Sequence, residues 1–157
     1  LFERKPIWGR GDLLAEFDPS QHYTVVEGLK ARAFTYGLGP WGRLWVRFGY
    51  DPYADPRARF YQEIDFRMTE GELATFKEKY RSACKEKDSN DQQQQELQVF
   101  GKVLKRQISF SFEHFNDKEI QEFIINHPRH TVCDHKHGWF DAPFDLALRK
   151  LVYAKIR

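Results

Sequence analysis

The chain has 157 residues, a formal net charge of +2 and 16% aromatic residues. This length fits one domain, or a small domain with an extension, and the aromatic residues provide ample material for a core. No run approaches the roughly 20 apolar residues of a membrane-spanning helix, and the net charge alone does not indicate nucleic-acid binding. The two cysteines, Cys84 and Cys133, form no disulfide framework, which suits a reducing compartment.

The N-terminal part of the chain predicts two helices. Apolar residues at helical spacing favour a short helix over residues 9–17. Thr24 and Glu27 have the spacing of a capping box, and apolar residues then recur every three or four positions as far as Tyr36. We therefore expect a longer second helix over residues 24–36.

Two alternating segments follow this helix. Residues 43–50 place Arg43, Trp45 and Arg47 on one face and apolar side chains on the other, which is typical of a half-buried strand. Residues 60–68 alternate in the same way, and the loop 51–59 between them contains two Asp-Pro turn signals. The order helix, helix, strand, loop, strand predicts a winged helix whose wing is residues 51–59.

The face that carries Arg43 and Arg47 allows two interpretations. The guanidinium groups could contact nucleic-acid phosphates, with Trp45 packing on sugars or bases. Alternatively, antiparallel pairing of the two strands would place Arg47 near Glu63 and Arg43 near Asp65, giving ion pairs on a covered face.

The rest of the chain divides at a polar segment. Residues 69–98 form a predicted Gln-rich insertion or linker, solvated and largely disordered from Arg81 to Gln98, that follows a winged-helix core at 1–68. Residues 99–157 form a C-terminal extension packed on that core. Within it we expect a strand at 108–112, a helix from Asn116 to Pro128 and a last helix from Pro143. The predicted class is α+β, a winged helix-turn-helix with an additional C-terminal strand and helices.

Basic residues on the second helix, the strand and the loop form the predicted DNA-binding surface. A winged helix places a helix in the major groove and a wing on the backbone. The candidate contacts are Lys30, Arg32, Arg43, Arg57 and Arg59, with Lys102, Lys105 and Arg106 as auxiliary contacts to the backbone.

Metal binding and catalysis find little support in the sequence. His130, Cys133, His135 and His137 form a cluster, but their spacing is not that of paired zinc ligands, so we expect no metal and no cofactor. The chain lacks a phosphate-binding Gly-rich loop, a Gly-x-Ser-x-Gly elbow and an obvious pair of catalytic carboxylates, so we expect no enzyme activity.

Five segments carry a family resemblance. Gly39-Pro40-Trp41, Leu44 to Pro52 and Tyr61 to Arg67 closely resemble the DNA-binding domain of the tau-A subunit of transcription factor IIIC, the subunit five family. Pro6-Ile7-Trp8 and the late segment from Cys133 to Phe140 are similar to the same family. Tyr53 departs from the pattern, because a basic residue often follows Gly-Tyr-Asp-Pro there.

The resemblance implies a nuclear, non-catalytic module that binds double-stranded DNA. Its expected DNA target is the A box of transfer-RNA gene promoters, within the RNA polymerase III machinery, and its expected protein partners are other transcription factor IIIC subunits. The alternative is a winged helix that docks on another subunit or on the polymerase. The near-zero net charge of residues 1–67 favours this alternative.

Overall fold

The architecture is that of a computed structural model, which describes residues 1–85, 98–100, 102–103 and 105–156. Short 3-10 helices cover Pro19–Gln21, Pro56–Tyr61 and Phe112–His114. In chain order, the other elements are β1 (Ile7–Trp8), α1 (Arg10–Leu14), α2 (His22–Leu29), β2 (Ala33–Thr35), β3 (Trp45–Arg47), β4 (Glu63–Arg67), α3 (Glu70–Lys85), β5 (Gln98–Val99), β6 (Lys102–Val103), β7 (Gln107–Ser111), α4 (Lys118–Asn126) and α5 (Ala142–Ile156).

The N-terminal module, residues 1–62, is built on an antiparallel sheet in the order β1-β3-β2. Helices α1 and α2 lie between β1 and β2 in the chain, and β3 returns between these two strands. Both sides of the sheet are covered. Val46 is buried on one side, whereas Trp45 packs on the other side with Trp8, Leu13 and Leu29. This strand–helix–helix–hairpin order is a winged-helix topology, in which residues 36–44 form the wing.

Helix α2 is shorter than the sequence predicts, and its start differs. The capping box lies at Asp18 and Gln21, where a 3-10 turn leads into the helix, rather than at Thr24 and Glu27. The helix ends at Leu29, and Ala33–Thr35 are the strand β2. Pairing of Phe34 with Val46 places the aromatic ring against its neighbours in the sheet, so tertiary packing overrides the helical periodicity.

The predicted hairpin between residues 43–50 and 60–68 is wrong. Strand β3 is short because Gly49 has φ of +81°, and the backbone turns back through a Tyr50 N–H bond to the Arg47 carbonyl. Strand β4 pairs instead with β7, in the register Ile64 to Phe110 and Phe66 to Ile108. Residues 51–59 are therefore a turn and the start of a 3-10 helix, not a wing between paired strands.

The C-terminal module, residues 63–156, has its own core. Helices α4 and α5 cover the two-stranded sheet β4-β7, and aromatic rings fill the space between them. Phe140 and Phe144 stack with centroids 3.8 Å apart. Asp117 caps α4 by accepting from the Ile120 N–H. The predicted strand at 108–112 and both C-terminal helices are thus confirmed to within a few residues.

Gln62 joins the two modules. Its side chain is buried; it accepts from the Trp139 N–H at 3.0 Å and donates to the His137 carbonyl at 3.1 Å. Its backbone carbonyl accepts from the Phe112 N–H. Trp139 completes the contact, because its indole N–H donates to the Pro52 carbonyl at 2.9 Å. Three of the four polar groups of Gln62 therefore have partners in the C-terminal module, and the fourth, its backbone N–H, donates to the Arg59 carbonyl of the N-terminal module.

A second contact between the modules is ionic. Asp12 of α1 lies 3.3 Å from His114 and 3.1 Å from Lys102, and Lys5 pairs with Glu113. Hydrogen bonds to Asp12 and then Glu113 raise the pKa of His114 to about 9. Burial raises the pKa of Asp12, but bonds from His114 and Lys102 outweigh it and lower the pKa to about 2. Asp12 and His114 therefore both carry a charge near neutral pH.

The polar segment, residues 69–98, begins with a helix and ends in a strand, which the sequence did not predict. Residues 70–85 are the helix α3, whose first turn is capped by Thr69 and Glu72, and Gln98 lies in β5. Most of the predicted disordered stretch, 86–97, lies outside the described residues. None of the helices in the described ranges is long and apolar enough to span a membrane.

Gly138→Ala tests the joint at Gln62. A Cβ at Gly138 would lie 2.5 Å from the Gln62 amide oxygen, and φ is +74°. We expect a loss of about 2–3 kcal/mol in the free energy of unfolding, measured by urea denaturation. Gly71→Ala is the matched control, since it meets nothing within 4 Å in α3, and should stabilise by up to about 1 kcal/mol. Equal effects of the two substitutions would contradict the role of the joint.

His114→Gln tests the ionic contact. Because the pKa of His114 rises from 6.5 to about 9 on folding, its contribution to stability is fully present below pH 6.5 and disappears as the pH rises through 9. With screening by solvent, we expect the wild type to lose on the order of 1–2 kcal/mol across this window relative to the variant. Urea denaturation at several pH values measures this difference. His130→Gln, at an exposed histidine, should keep the wild-type profile.

Candidate nucleic-acid interface

Helix α2 presents an open face to solvent. Only Leu29 is fully buried on this helix, while Tyr23 is 79% exposed and Thr24, Glu27 and Gly28 are also exposed. The second helix of a helix-turn-helix enters the DNA major groove, and α2 has this position in the topology.

The wing, residues 36–44, is a closed loop rather than a loose one. The Arg43 N–H donates to the Tyr36 carbonyl at 2.9 Å, and the Gly42 N–H donates to the Gly39 carbonyl at 3.0 Å. Gly39 has φ of +93° and leaves no room for a side chain. These bonds present Leu38 at the tip, where its side chain is 88% exposed.

Trp41 supports the wing from below. It is fully buried, and its indole N–H donates to the Ala58 carbonyl at 3.1 Å. Tyr53 packs edge-on against Trp41 at 4.9 Å and against Tyr36 at 5.7 Å. The segment that the sequence predicted to be the wing is therefore the platform under the wing.

Arg43 holds an unusual backbone conformation. Its φ is +65°, a left-handed value that costs a residue with a Cβ roughly 1–2 kcal/mol. Its side chain is exposed at the end of the wing next to β3. A non-glycine residue keeps this conformation only where its surroundings hold it, and here the Arg43 N–H bond to the Tyr36 carbonyl does so.

The other predicted contacts on the N-terminal module fall into two groups. Lys30 caps the end of α2 and pairs with Glu27 at 2.8 Å, and Arg32 is exposed in the turn that leads to β2. Arg57 and Arg59 lie in the 3-10 helix of the platform. Arg57 is fully exposed and pairs with Asp55 at 3.2 Å, whereas Arg59 is half-buried over the Phe60 ring.

The three auxiliary cations do not share one environment. Lys102 lies inside the ionic contact between the modules, bonded to Asp12 and to the Ser109 carbonyl. Arg106 is exposed and pairs with Glu70 at 2.9 Å. Lys105 is exposed. The sequence does not distinguish Lys102 from its neighbours, because the partner Asp12 lies 90 residues away.

The predicted ion pairs of Arg47 with Glu63 and of Arg43 with Asp65 are wrong, because β3 and β4 do not pair. Arg47 donates to the Phe2 carbonyl at 3.1 Å. Asp65 accepts a hydrogen bond from Ser109. Glu63 is largely buried near Asp12, and burial raises its pKa.

The histidine cluster is a tight turn beside the wing. Asp134 accepts from the N–H groups of Lys136 and His137, and the backbone closes between Asp134 and Gly138. Burial raises the pKa of the Cys133 thiol to about 11, which disfavours the thiolate. Among the residues that the structure describes, no group of three or more His, Cys, Asp or Glu could hold a metal ion.

The sequence alone does not identify three residues of this surface. Tyr23 looks like a core residue of a helix, and Leu38 is an isolated apolar residue among glycines. Arg129 lies in the C-terminal module, and nothing in its local sequence connects it with the platform. Only the exposure of Tyr23 and Leu38, and the packing of residues 129–139 against the platform, identify them.

Residues 1–67 match the family model "Tau95: RNA polymerase III transcription factor (TF)IIIC subunit HTH domain". General transcription factor 3C polypeptide 5 of Homo sapiens is 42% identical over 69 residues, which cover 43% of this chain and 13% of the relative. Transcription factor tau subunit sfc1 of Schizosaccharomyces pombe is 37% identical over 68 residues, which cover 43% and 15%. The matched region thus spans about one seventh of either relative.

A solved structure described as "Sfc1-DBD" matches the fold with a TM-score of 0.70 and 22% identity, covering 99% of this chain and 68% of that one. The likeness includes the C-terminal module as well as the winged helix, and the predicted α+β winged-helix class is confirmed. The resemblance to the subunit five family of transcription factor IIIC is therefore confirmed over residues 1–67, which match its Tau95 helix-turn-helix domain.

Proposed function

We propose that this chain is the DNA-binding region of a transcription factor IIIC subunit, and that it contacts duplex promoter DNA of RNA polymerase III genes. The match of residues 1–67 to the Tau95 helix-turn-helix domain carries this proposal, because these residues build the exposed helix, the sheet and the wing. The A box of transfer-RNA genes is the proposed target. The region does no chemistry, acts in the nucleus and works beside other subunits of the factor.

Helix α2 and the wing form the proposed contact surface. Helix α2 enters the major groove with Tyr23 and Thr24 toward the bases, and Lys30 and Arg32 meet phosphates beside it. Arg43 of the wing meets the adjacent backbone. The Lys30 pair with Glu27 is exposed, so its loss on binding costs little.

The remaining predicted contacts differ in whether their side chains are free to meet DNA. Arg57, Lys105 and Arg106 are exposed and stay as auxiliary contacts to phosphates. Lys102 receives no DNA contact in this proposal, because its ammonium group already bonds to Asp12 and Ser109 within the protein.

A protein-docking function is the second candidate, and a cleft favours it. The cleft has a volume of about 640 Å³ and lies between the N-terminal segment, α2 and the sheet. Phe2, Phe17, Val25 and Leu29 give it apolar walls, and Glu3, Arg32 and Arg47 also line it. A cleft with apolar walls and charges of both signs suits a side chain of another subunit better than it suits DNA.

A salt titration separates the two candidates. We expect the wild type to bind a fluorescent duplex that carries an A-box sequence, with affinity falling steeply between about 50 and about 200 mM NaCl. Fluorescence anisotropy measures both affinities. No binding at the lower salt concentration would contradict DNA binding and support docking.

The Lys30→Ala/Arg32→Ala variant tests the helix end. We expect a loss of at least about tenfold in duplex affinity, and a slope of log K against log salt that is smaller by about 2, because two phosphate contacts are removed. Lys150→Ala, which removes an exposed cation of α5, is the control and should bind as the wild type does. Equal binding by both variants would place the DNA surface elsewhere.

Two substitutions of Arg43 test whether its side chain contributes to DNA affinity and whether its backbone conformation lowers stability. Compared with Arg43→Ala, Arg43→Gly should raise the free energy of unfolding by about 0.5–1 kcal/mol, since glycine adopts positive φ without a Cβ clash. Both variants should lose a similar amount of duplex affinity, about three- to tenfold, because each lacks the guanidinium. Urea denaturation and anisotropy provide the two measurements. Unchanged affinity in both variants would assign Arg43 a structural role only.

A further inference from the structure

Two arginines from different modules lie near the same aromatic cluster, and neither has a carboxylate partner among the described residues. Arg59 belongs to the 3-10 helix of the platform, and Arg129 follows α4 in the C-terminal module. The Nε atom of Arg59 is buried and has no hydrogen-bond partner among the described residues. In the same ranges, no carboxylate pairs with either guanidinium. Burial lowers the pKa of Arg59, and the positive charge of Arg129 lowers it further.

Each guanidinium group lies over an aromatic ring. Arg59 lies over Phe60 at 4.6 Å from the ring centroid, and Arg129 lies over Trp139 at 5.9 Å. Trp139 packs in the same cluster as Ala58, the residue just before Arg59. Among the described residues, Arg129 makes one weak bond, in which it donates to the His130 carbonyl at 3.4 Å. Both guanidinium groups thus pack on rings, and most of their donors have no partner in the part of the chain that the structure describes.

The positive charges of Arg59 and Arg129 repel each other, so this arrangement costs free energy in the isolated protein. An anion between them removes the repulsion and satisfies several N–H donors at once, and the planar fork of arginine suits phosphate oxygens. We propose that Arg59 and Arg129 together hold one phosphate of the DNA backbone. This inference rests on the proposed function, and it extends the DNA footprint from the wing onto the C-terminal module.

The neighbourhood of the pair favours DNA as the source of the phosphate. The turn that begins at Arg129 runs back to the wing, where the His135 carbonyl lies 3.0 Å from the position of a Cβ on Gly39. His135 also packs against Tyr53 at 5.0 Å. Exposed Lys136 lies on the same turn, and its one acid, Asp134, is already engaged by two backbone N–H groups. A backbone that reaches the wing therefore continues past this turn toward the pair.

Single and double substitutions test the shared phosphate. Arg59→Ala and Arg129→Ala should each lower duplex affinity about three- to tenfold, measured by anisotropy across a salt series. The double variant should lose less than the product of the two single losses, because both side chains serve one phosphate. For the same reason its salt slope should be smaller by about 1 rather than 2. Arg59→Lys, which keeps the charge but lacks the fork, should still weaken binding.

Arg67→Ala is the matched control, since Arg67 is an exposed arginine at the far end of β4. It should bind as the wild type does. Thermal melting of every variant verifies the fold, and Arg129 is exposed, so its substitution keeps the test decisive if Arg59→Ala unfolds.

The outcomes separate this inference from the proposed function. If the wild type fails to bind duplex DNA, the proposed function fails. If Lys30→Ala/Arg32→Ala loses affinity while both Arg59→Ala and Arg129→Ala keep it, only the phosphate site is overturned. Single losses that multiply in the double variant, with a slope smaller by about 2, would show two separate contacts and would also overturn it.

Discussion

The proposed binding surface depends on the contacts of the buried Trp41 indole. Its N–H bond to the Ala58 carbonyl ties the wing to the platform, and Tyr53 packs against the ring from the side. Without this support, a nine-residue connection between β2 and β3 would pay a large entropic cost to hold one shape on contact with DNA. The same platform also bonds to Trp139 through the Pro52 carbonyl. One cluster therefore fixes the wing and orients the C-terminal module.

The sequence predicts which residues are in strands better than it predicts their partners. Residues 45–47, 63–67 and 107–111 all alternate, and all are strands. Alternation indicates which face of a strand is buried but not which strand lies beside it. The prediction of a hairpin between residues 43–50 and 60–68, which are neighbours in the sequence, is therefore wrong. Packing of Ile64 and Phe66 on Phe110 and Ile108 decides the pairing. The prediction of a helix as far as residue 36 is wrong for a similar reason, because Phe34 pairs with Val46 in the sheet.

The sequence also predicts some parts of the candidate site and not others. The family resemblance in residues 39–67 was readable from the sequence, and Lys30, Arg32 and Arg43 are exposed as a contact surface requires. The sequence does not predict the position of the wing, because the roles of Gly39 and Trp41 depend on contacts with Tyr53, Ala58 and His135. Ion pairing was equally hidden, since Lys102 meets an aspartate from the start of the chain.

The pairing of β4 with β7 has a consequence for how such chains can diverge. The two strands are adjacent, and the ladder closes with the Met68 N–H on the Arg106 carbonyl, so the chain leaves and re-enters the sheet at neighbouring points. The segment between these points includes α3, β5, β6 and Lys102, and the sheet fixes both of its ends. Each doubling in length of a flexible loop costs only about 0.6 kcal/mol in closure entropy. Insertions and deletions outside those elements and Lys102 can therefore accumulate over evolution while the wing, its platform and the arginine pair keep their geometry.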